Sequence, residues 1–387
     1  DQLAVSLLED EGFRQQATAG SLLNQLALIV GSNPQVDAAL RLLNAATSDE
    51  VPLALQEALL TSVDQGLRRR GTSVAELLLS DSPSEQLQVR MAAHFRRASE
   101  LASDDQQSLG IRQSAVRLLA LADWQTASKS LPALLSPQTP QSLQRAAVET
   151  LAAQSSEQVA ATLLENWRVF SPQLRRNVVD ALLTEAARIN ALVDAVENGT
   201  VRLSEIEADT RQLLLNHPDK VVRTRSEKVF RAQLNTDRAQ VVQAYQDVLD
   251  FETDTHRGFE VFKQKCAVCH QVGEVGHAIA PNLASTTNKS SADLLIAILD
   301  PNREAQPNFN TYSVLTDDGR VISGIIAEES ATSITLRRAE GKQDVILRSN
   351  IDELIANGTS LMPEGLEQDI TRQQLADVIS FLKSIGK

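Results

Sequence analysis

The first 240 residues alternate between stretches of periodic apolar residues and short polar breaks. Apolar residues recur at intervals of three and four in residues 22–29, 51–59 and 74–78. A helix places residues at that spacing on one face. Polar or proline-containing segments, such as residues 31–34, separate the stretches. The pattern predicts a succession of amphipathic helices joined by short loops.

A nine-residue motif recurs within this helical region. Copies begin at Ile111, Leu143 and Leu174, which are 32 and 31 positions apart, and a degenerate copy begins at Val222. The motif is similar to the second helix of HEAT-type repeats, although the spacing is shorter than theirs. Such helix pairs bury their apolar faces only by stacking on one another. We therefore predict a HEAT-like α-solenoid over residues 1–240, with an irregular helical bundle as the alternative.

The hydrophobic period changes to two after residue 310. Alternating apolar and polar residues, interrupted by turn signals at residues 317–319 and 339–342, indicate two β-hairpins. We predict a four-stranded antiparallel insertion over residues 311–349, approximately. Its predicted strands are 312–316, 320–326, 333–337 and 344–348.

Helices are predicted on both sides of this insertion. Residues 239–252 form a last helix that leads into the C-terminal region, and residues 291–299 form another that ends at Asp300. A capping-box sequence, Thr371 to Gln374, opens the C-terminal helix. We expect this helix to pack across an earlier one at residues 258–262.

Residues Cys266 to His270 read C-x-x-C-H, which is the attachment signature of a c-type haem. Each thiol can add across one vinyl group of the porphyrin, and two intervening residues let both sulfurs reach neighbouring vinyls. His270 then lies under the ring, where its imidazole binds the iron as the proximal ligand. The motif predicts one covalently attached haem c held by Cys266, Cys269 and His270.

The surrounding sequence supports this interpretation. Apolar residues at helical spacing in 258–262 are typical of a short helix that delivers the cysteines. Pro281 lies in a segment expected to wrap the proximal side, where a backbone carbonyl orients the second nitrogen of His270. Met362 lies in a polar loop, and we predict that its thioether binds the opposite face of the iron, as suits electron transfer. The other methionine, Met91, lies in a helical stretch and is predicted to pack.

The same five residues fit two other kinds of site. A closed zinc site needs about four ligands, so it would have to recruit His256 or His277 in addition to the two cysteines. A thioredoxin-like redox pair is expected within a βαβ pattern, and the sequence around the motif lacks one. The haem interpretation is favoured over both.

Composition and charge narrow the classes of function. A chain of 387 residues is too long for one ordinary core, so two or three domains are expected. The net charge of −13 argues against nucleic acid and anionic membrane surfaces as partners. From residue 245 onward, 21 acidic and 13 basic side chains leave a net charge of −8, so the acidity is concentrated around the predicted haem.

The sequence also bears on location. It contains no transmembrane run and no signal peptide. Covalent haem attachment implies maturation outside the cytoplasm. We therefore expect a periplasmic or secreted protein, present here in a mature or partial form.

Positions outside the C-x-x-C-H motif match a known family. They are Gly258, Val261, Phe262, Leu299 to Asn302, Tyr312, Asp318 to Arg320, Gly324 and Ser360 to Leu366. With the motif, they make residues from about 255 to 387 resemble the C-terminal haem-binding domain of large secreted proteins of the planctomycete and verrucomicrobial type. In that family the domain often follows HEAT-like repeats and, further upstream, a β-propeller resembling sugar dehydrogenases.

The resemblance implies that this chain is the C-terminal part of a periplasmic dehydrogenase. It also implies that Cys266 and Cys269 are the thioether sites and that His270 and Met362 are the axial ligands. One departure is Ala280, because cytochromes of this general kind usually have glycine before the proline.

Together these observations predict a mainly α protein: a HEAT-like α-solenoid over residues 1–240, then a class I-like cytochrome c domain over 241–387 with a small antiparallel β insertion. We expect a mono-haem electron carrier, not an enzyme by itself, whose partner is a dehydrogenase domain or another redox protein. Two alternatives stay open. A five-coordinate haem, with Met362 unbound and His277 as a distal group, would indicate a peroxidase or gas sensor. A repeat-based interaction scaffold would make the haem secondary.

Overall fold

The computed structural model describes residues 1–80, 83–233, 237–303, 306–338 and 341–385, and most of them are helical. The helices are α1 (Gln2–Glu9), α2 (Glu11–Arg14), α3 (Ala19–Ser32), α4 (Val36–Ala46), α5 (Leu53–Arg68), α6 (Val74–Leu79), α7 (Glu85–Ser103), α8 (Leu109–Leu118), α9 (Trp124–Ala127), α10 (Gln141–Ala152), α11 (Gln158–Glu165), α12 (Pro172–Leu182), α13 (Ala186–Glu197), α14 (Ala208–Leu215), α15 (Lys220–Gln233), α16 (Asp237–Ala244), α17 (Thr255–Val261), α18 (Ser291–Leu299) and α19 (Arg372–Ser384). The strands are β1 (Gln271–Val272), β2 (Val275–Gly276), β3 (Asn310–Thr316), β4 (Val321–Glu329), β5 (Ser333–Arg337), β6 (Gln343–Leu347) and β7 (Ile351–Ser360).

The chain divides into two compact units, Asp1–Leu163 and Leu164–Lys387. The two units are the parts of the chain that pack mainly within themselves. Their border is not the predicted border at residue 240, which separates repeat helices from the cytochrome domain. That predicted border stays a prediction.

Close packing of α3 against α5 characterises the first unit. A Cβ atom added at Gly31 would lie 2.2 Å from the carbonyl oxygen of Val63, and one added at Gly66 would lie 2.5 Å from that of Leu28. The two backbones can approach this closely only because both positions lack a side chain. Apolar side chains on the facing surfaces, among them Leu23 and Leu59, are fully buried.

The four copies of the repeat motif lie on α8, α10, α12 and α15. In the first unit α8 packs against α10, and the Thr150 hydroxyl donates to the carbonyl oxygen of Val116 at 3.2 Å. In the second unit α13 packs against both α12 and α15. The predicted succession of helices is confirmed, while their stacking into a solenoid stays a prediction.

Two helices cross in the C-terminal region, as expected from the sequence, and a glycine lies at the crossing. A Cβ atom at Gly258 on α17 would lie 2.1 Å from the carbonyl oxygen of Asp377 on α19. Beside the crossing, the Phe381 ring packs against the rings of Phe259 and Phe262, with centroids 5.3 and 5.6 Å apart. The predicted capping box is present, since the Thr371 hydroxyl accepts from the amide of Gln374 and the Gln374 side chain accepts in return.

The antiparallel insertion has one strand more than the four predicted. The strand order is β6-β5-β4-β3-β7, and β7, which ends two residues before Met362, pairs with β3. The sequence signal for β7 is weak because Asn357 and Gly358 read as a turn, and Gly358 has φ +67°. Two register shifts along the β3–β7 ladder further break the alternation of buried and exposed residues. The insertion therefore extends to Ser360 rather than 349.

Two smaller predictions concern residues 239–252 and 339–342. The helix predicted over residues 239–252 is broken, because α16 ends at Ala244 and a 3₁₀ helix over Gln246–Asp250 follows it. Of the turn predicted at residues 339–342, Ala339 and Glu340 lie outside the described residues.

The buried face of the sheet packs on a helical segment of its own unit. The fully buried Tyr312 ring on β3 lies 5.6 Å from the guanidinium of Arg175, which also lies 4.9 Å from the ring of Trp167. Glu205 accepts from Arg175 at 2.7 Å and from the Trp167 indole at 2.8 Å. Because both charges are buried and hydrogen-bonded to each other, losing either would leave the other uncompensated. The contact fixes the sheet on residues 167–205.

Candidate haem site

A tight turn presents the C-x-x-C-H motif. One π-helical turn over Phe262–Cys266 follows α17, and the amide of Ala267 donates to the carbonyl oxygen of Phe262 at 2.9 Å. Such turns are frequent at functional sites, because the inserted residue changes the direction of the side chains that follow. The His270 amide then donates to the Cys266 carbonyl oxygen at 2.9 Å, so a single turn contains the whole motif.

The segment after the motif folds back on it. Strands β1 and β2, each two residues long, pair as an antiparallel hairpin. Gly276 has φ +93°, and a Cβ atom there would lie 2.1 Å from the carbonyl oxygen of His270. The amides of Ile279 and Ala280 both donate to the carbonyl oxygen of Cys269, at 3.1 and 2.9 Å. Alanine at position 280 therefore fits the turn that places Pro281.

One hydrogen bond orients the His270 ring. Its Nδ1 lies 2.8 Å from the carbonyl oxygen of Pro281. A carbonyl can only accept, so Nδ1 carries the proton and the lone pair of the neutral ring is on Nε2. Burial lowers the pKa of His270, and the contact with Pro281 opposes this shift only partly. The side chain is therefore held with the tautomer and orientation that would leave Nε2 available to a metal ion.

Both cysteines are free thiols, partly buried in the same turn. Burial, with a smaller contribution from Cys269, raises the pKa of Cys266 to about 11, and burial also raises that of Cys269. The two sulfurs are therefore protonated and uncharged at neutral pH. A neutral thiol is a poor ligand for a bare cation, because the thiolate is the form that binds metal ions.

A cavity of about 350 Å³ opens beside the motif, within the size range of cofactor sites. His270 and Met362 both line it, and both also line a smaller adjoining cavity that includes Cys266 and Cys269. Most of the remaining lining is apolar. It includes Val261, Pro281, Leu283, Leu294, Ile298, Phe309, Leu361, Ile370, Val378 and Leu382. The donor set and the apolar walls fit a haem c, and the residues predicted for it, including Pro281, lie together.

Three hydrogen bonds hold the loop that carries Met362: one to Phe309, one within the loop and one to Asn302. The amide of Leu361 donates to the carbonyl oxygen of Phe309 at 3.1 Å, and the amide of Met362 donates to the Ser360 hydroxyl at 3.2 Å. The Ser360 amide donates in turn to the side-chain oxygen of Asn302 at 2.6 Å. From the sequence, Asn302 was expected only to follow the end of a helix and to belong to the family pattern. Its contact with Ser360 spans 58 positions, so no local pattern predicts it.

His256 and His277, the ligands that the alternative interpretations would need, do not join the site. Within the described residues, no group of three or more His, Cys, Asp and Glu side chains could hold a metal ion, so neither His256 nor His277 completes a zinc site with the cysteines. The described lining of the two cavities also does not include His277, whose amide donates to the carbonyl oxygen of Ala267. None of the described helices has the length and apolar character needed to cross a bilayer.

Comparison with known proteins agrees with this geometry. Residues 255–386 match the family model described as Cytochrome c, and no curated protein matches the chain. The C-terminal region is therefore a cytochrome c domain, with the haem c that this implies. The match begins at the first helix of the Gly258 crossing and covers the β insertion as well as both predicted axial ligands.

Proposed function

We propose that this chain is a mono-haem electron carrier whose iron is bound by His270 and Met362. The observation that carries the proposal is their position on one apolar cavity, with His270 Nδ1 held 2.8 Å from the Pro281 carbonyl oxygen. When bound, a haem supplies reversible one-electron chemistry at iron. Every other part of the proposal concerns what the residues of the chain do.

Each residue has a separate task. Cys266 and Cys269 form the thioether links, which hold the cofactor through every redox cycle. His270 donates from Nε2 in an orientation set by Pro281, and Met362 supplies a soft thioether that favours the reduced metal. The apolar lining excludes water from the site, which limits reorganisation when an electron is transferred.

Axial ligation by both side chains would leave no coordination position for a substrate. The chain would then act as a carrier and not as an oxygen-activating enzyme. In this proposal the helical repeats are a docking scaffold, and the electron donor is a dehydrogenase domain or a separate redox protein. The site of function is the periplasm or the exterior of the cell, where c-type haem is attached.

Haem content and electron stoichiometry test the proposal. The full chain is produced in a host that matures c-type cytochromes, and its haem is quantified after denaturation. An anaerobic redox titration then counts the electrons taken up per chain. We expect one haem, one electron, and reduced protein that does not bind carbon monoxide. A reduced protein that binds the gas readily at neutral pH would instead favour the peroxidase or sensor alternative.

A second experiment addresses the scaffold role. Pull-downs compare the full chain with a variant, Cys266→Ser/Cys269→Ser, that lacks covalent haem. A redox partner that docks through the repeats and donates electrons to the haem should still be captured by the variant but should no longer reduce it. A partner that binds both proteins equally, and exchanges no electrons with either, would favour the interaction scaffold.

A further inference from the structure

Asn302 bridges the two sides of the Met362 loop. Its side-chain oxygen accepts from the amide of Ser360, two residues before the methionine, at 2.6 Å. Its side-chain nitrogen donates to Oε1 of Glu364, two residues after it, at 2.5 Å. One amide group therefore closes the five-residue loop from both ends, using its acceptor and its donor at the same time.

The end of α18, next to Asn302, is held in place by contacts outside the loop. Asn302 follows α18, whose last carbonyl, on Leu299, accepts from the guanidinium of Arg238. Arg238 also makes two hydrogen bonds of 2.9 Å to Glu367, beyond the loop. The adjoining Pro301 lines the same cavity as Met362. The bridge therefore connects an anchored helix end directly to the segment that carries the thioether.

We propose that Asn302 is a positioning residue for the axial methionine. This inference rests on the proposed function and adds a residue to it. Methionine has an unbranched side chain with three rotatable bonds, so it does not fix its own sulfur. The thioether can stay on the iron only if the backbone of its loop is held, and the closest side-chain contacts that hold the loop converge on Asn302. Without them, the loop exchanges between bound and open forms.

The test measures how often Met362 is off the iron. Wild type and Asn302→Ala are compared by the thioether-to-ferric absorption band and by carbon monoxide uptake of the reduced protein. We expect the fraction of chains with Met362 dissociated to rise roughly 30-fold, as the loss of two ordinary hydrogen bonds would give. The ferric band should weaken, gas binding should appear, and the reduction potential should fall.

A charge-swapped pair separates positioning from general destabilisation. Asn302→Asp keeps an acceptor for Ser360 but places a carboxylate against Glu364, so the loop should open. Adding Glu364→Gln supplies an amide that can donate to the new carboxylate, and the band should return. The rescue is measured by comparing Asn302→Asp with Asn302→Asp/Glu364→Gln. It therefore tests the positioning role of Asn302 even if Asn302→Ala folds poorly.

Asn357→Ala is the matched control. Asn357 lies on β7, five residues before Met362, and also makes two side-chain hydrogen bonds, to Ser313 and Thr311. Its loss should leave the band and gas exclusion unchanged. An unchanged band in Asn302→Ala, or no difference between the aspartate variant and its rescue, would overturn the inference. A wild type without the band would instead overturn the His270/Met362 proposal.

Discussion

The helical region and the cytochrome domain each contain one methionine and one histidine whose pKa is lowered by burial, yet their surroundings differ. Met91 on α7 is 1% exposed and packs in a helix interface, whereas Met362 is partly exposed and lines a cavity. Within the described part of the chain, the buried Nε2 of His94 has no hydrogen-bond partner, whereas Nδ1 of His270 lies within hydrogen-bond distance of the Pro281 carbonyl oxygen.

Two observations distinguish His270, the proposed ligand, from His94. Burial lowers the pKa of both histidines, so a neutral imidazole by itself does not distinguish them. The distinction lies in a second contact that fixes the ring tautomer and in an apolar cavity shared with a second donor. His94 lies beside Phe95, with ring centroids 6.1 Å apart, and reads as part of the packing.

The largest expected effect concerns the motif itself. Cys266→Ser/Cys269→Ser removes both thioether links, so no haem should stay with the chain after denaturation and acid–acetone extraction. Val268→Ala lies between the two cysteines, at a side chain that is 43% exposed, and should retain full covalent haem. Retention of covalent haem by the serine pair would refute the attachment site.

The two methionines should give opposite results. Met91→Ala should lower the free energy of unfolding by about 2–4 kcal/mol, because it leaves a cavity in the core, with an unchanged haem spectrum. Met362→Ala should change the spectrum and cost less stability, because its side chain is only partly buried. Thermal melts and absorption spectra of both holoproteins check this. Equal spectral changes in the two variants would remove the distinction between the regions.

The helix crossing in the cytochrome domain gives a smaller effect. Gly258→Ala forces a methyl group against the backbone of α19 and should cost about 2–3 kcal/mol by chemical denaturation. The control is Gly110→Ala on α8, where no heavy atom of the residues that the structure describes, apart from the chain neighbours and the helix's own backbone, lies within 4 Å of the added Cβ atom. It should change stability by less than about 1 kcal/mol, in the stabilising direction. Similar losses in both variants would contradict the close approach at Gly258.

The outcome of sequence reasoning differs between parts of the site. Local spacing and loop position singled out the cysteines, His270, Pro281 and Met362, and their assignment as haem-binding residues stays a prediction. Asn302 was not singled out in this way, because its hydrogen bonds join it to residues about sixty positions away, which no local pattern records. The close approach of Gly276 to the His270 carbonyl oxygen likewise appears only after folding.

The fold shows the same division. The capping boxes of α18 and α19 and the two predicted hairpins follow from local patterns. The buried face of α3 was harder to predict, because Leu22 and Ile29 are exposed while Ala27 and Gly31 are buried. The close approach of α5 leaves room there only for small residues. A pattern of hydrophobic residues alone does not predict such an approach.

The smallest expected effect is a pH dependence. Hydrogen bonds from Arg238 lower the pKa of Glu367, so its carboxylate is stabilised by folding. This contribution is complete above the unfolded-state pKa of about 4.3 and is lost as the pH falls through the lower folded-state pKa. When the pH is lowered from about 5 to about 3, the melting temperature of the wild type should fall further than that of Glu367→Gln. Glu353→Gln, at an exposed position on β7, should follow the wild type.

The most direct test of the account is the absorption spectrum of the ferric holoprotein, wild type beside Met362→Ala. The account predicts a low-spin spectrum with a thioether-to-ferric band in the wild type, and loss of that band in the variant together with carbon monoxide binding after reduction. A wild type that is already high-spin, or a variant that keeps the band, would contradict His270/Met362 ligation and with it the electron-carrier function.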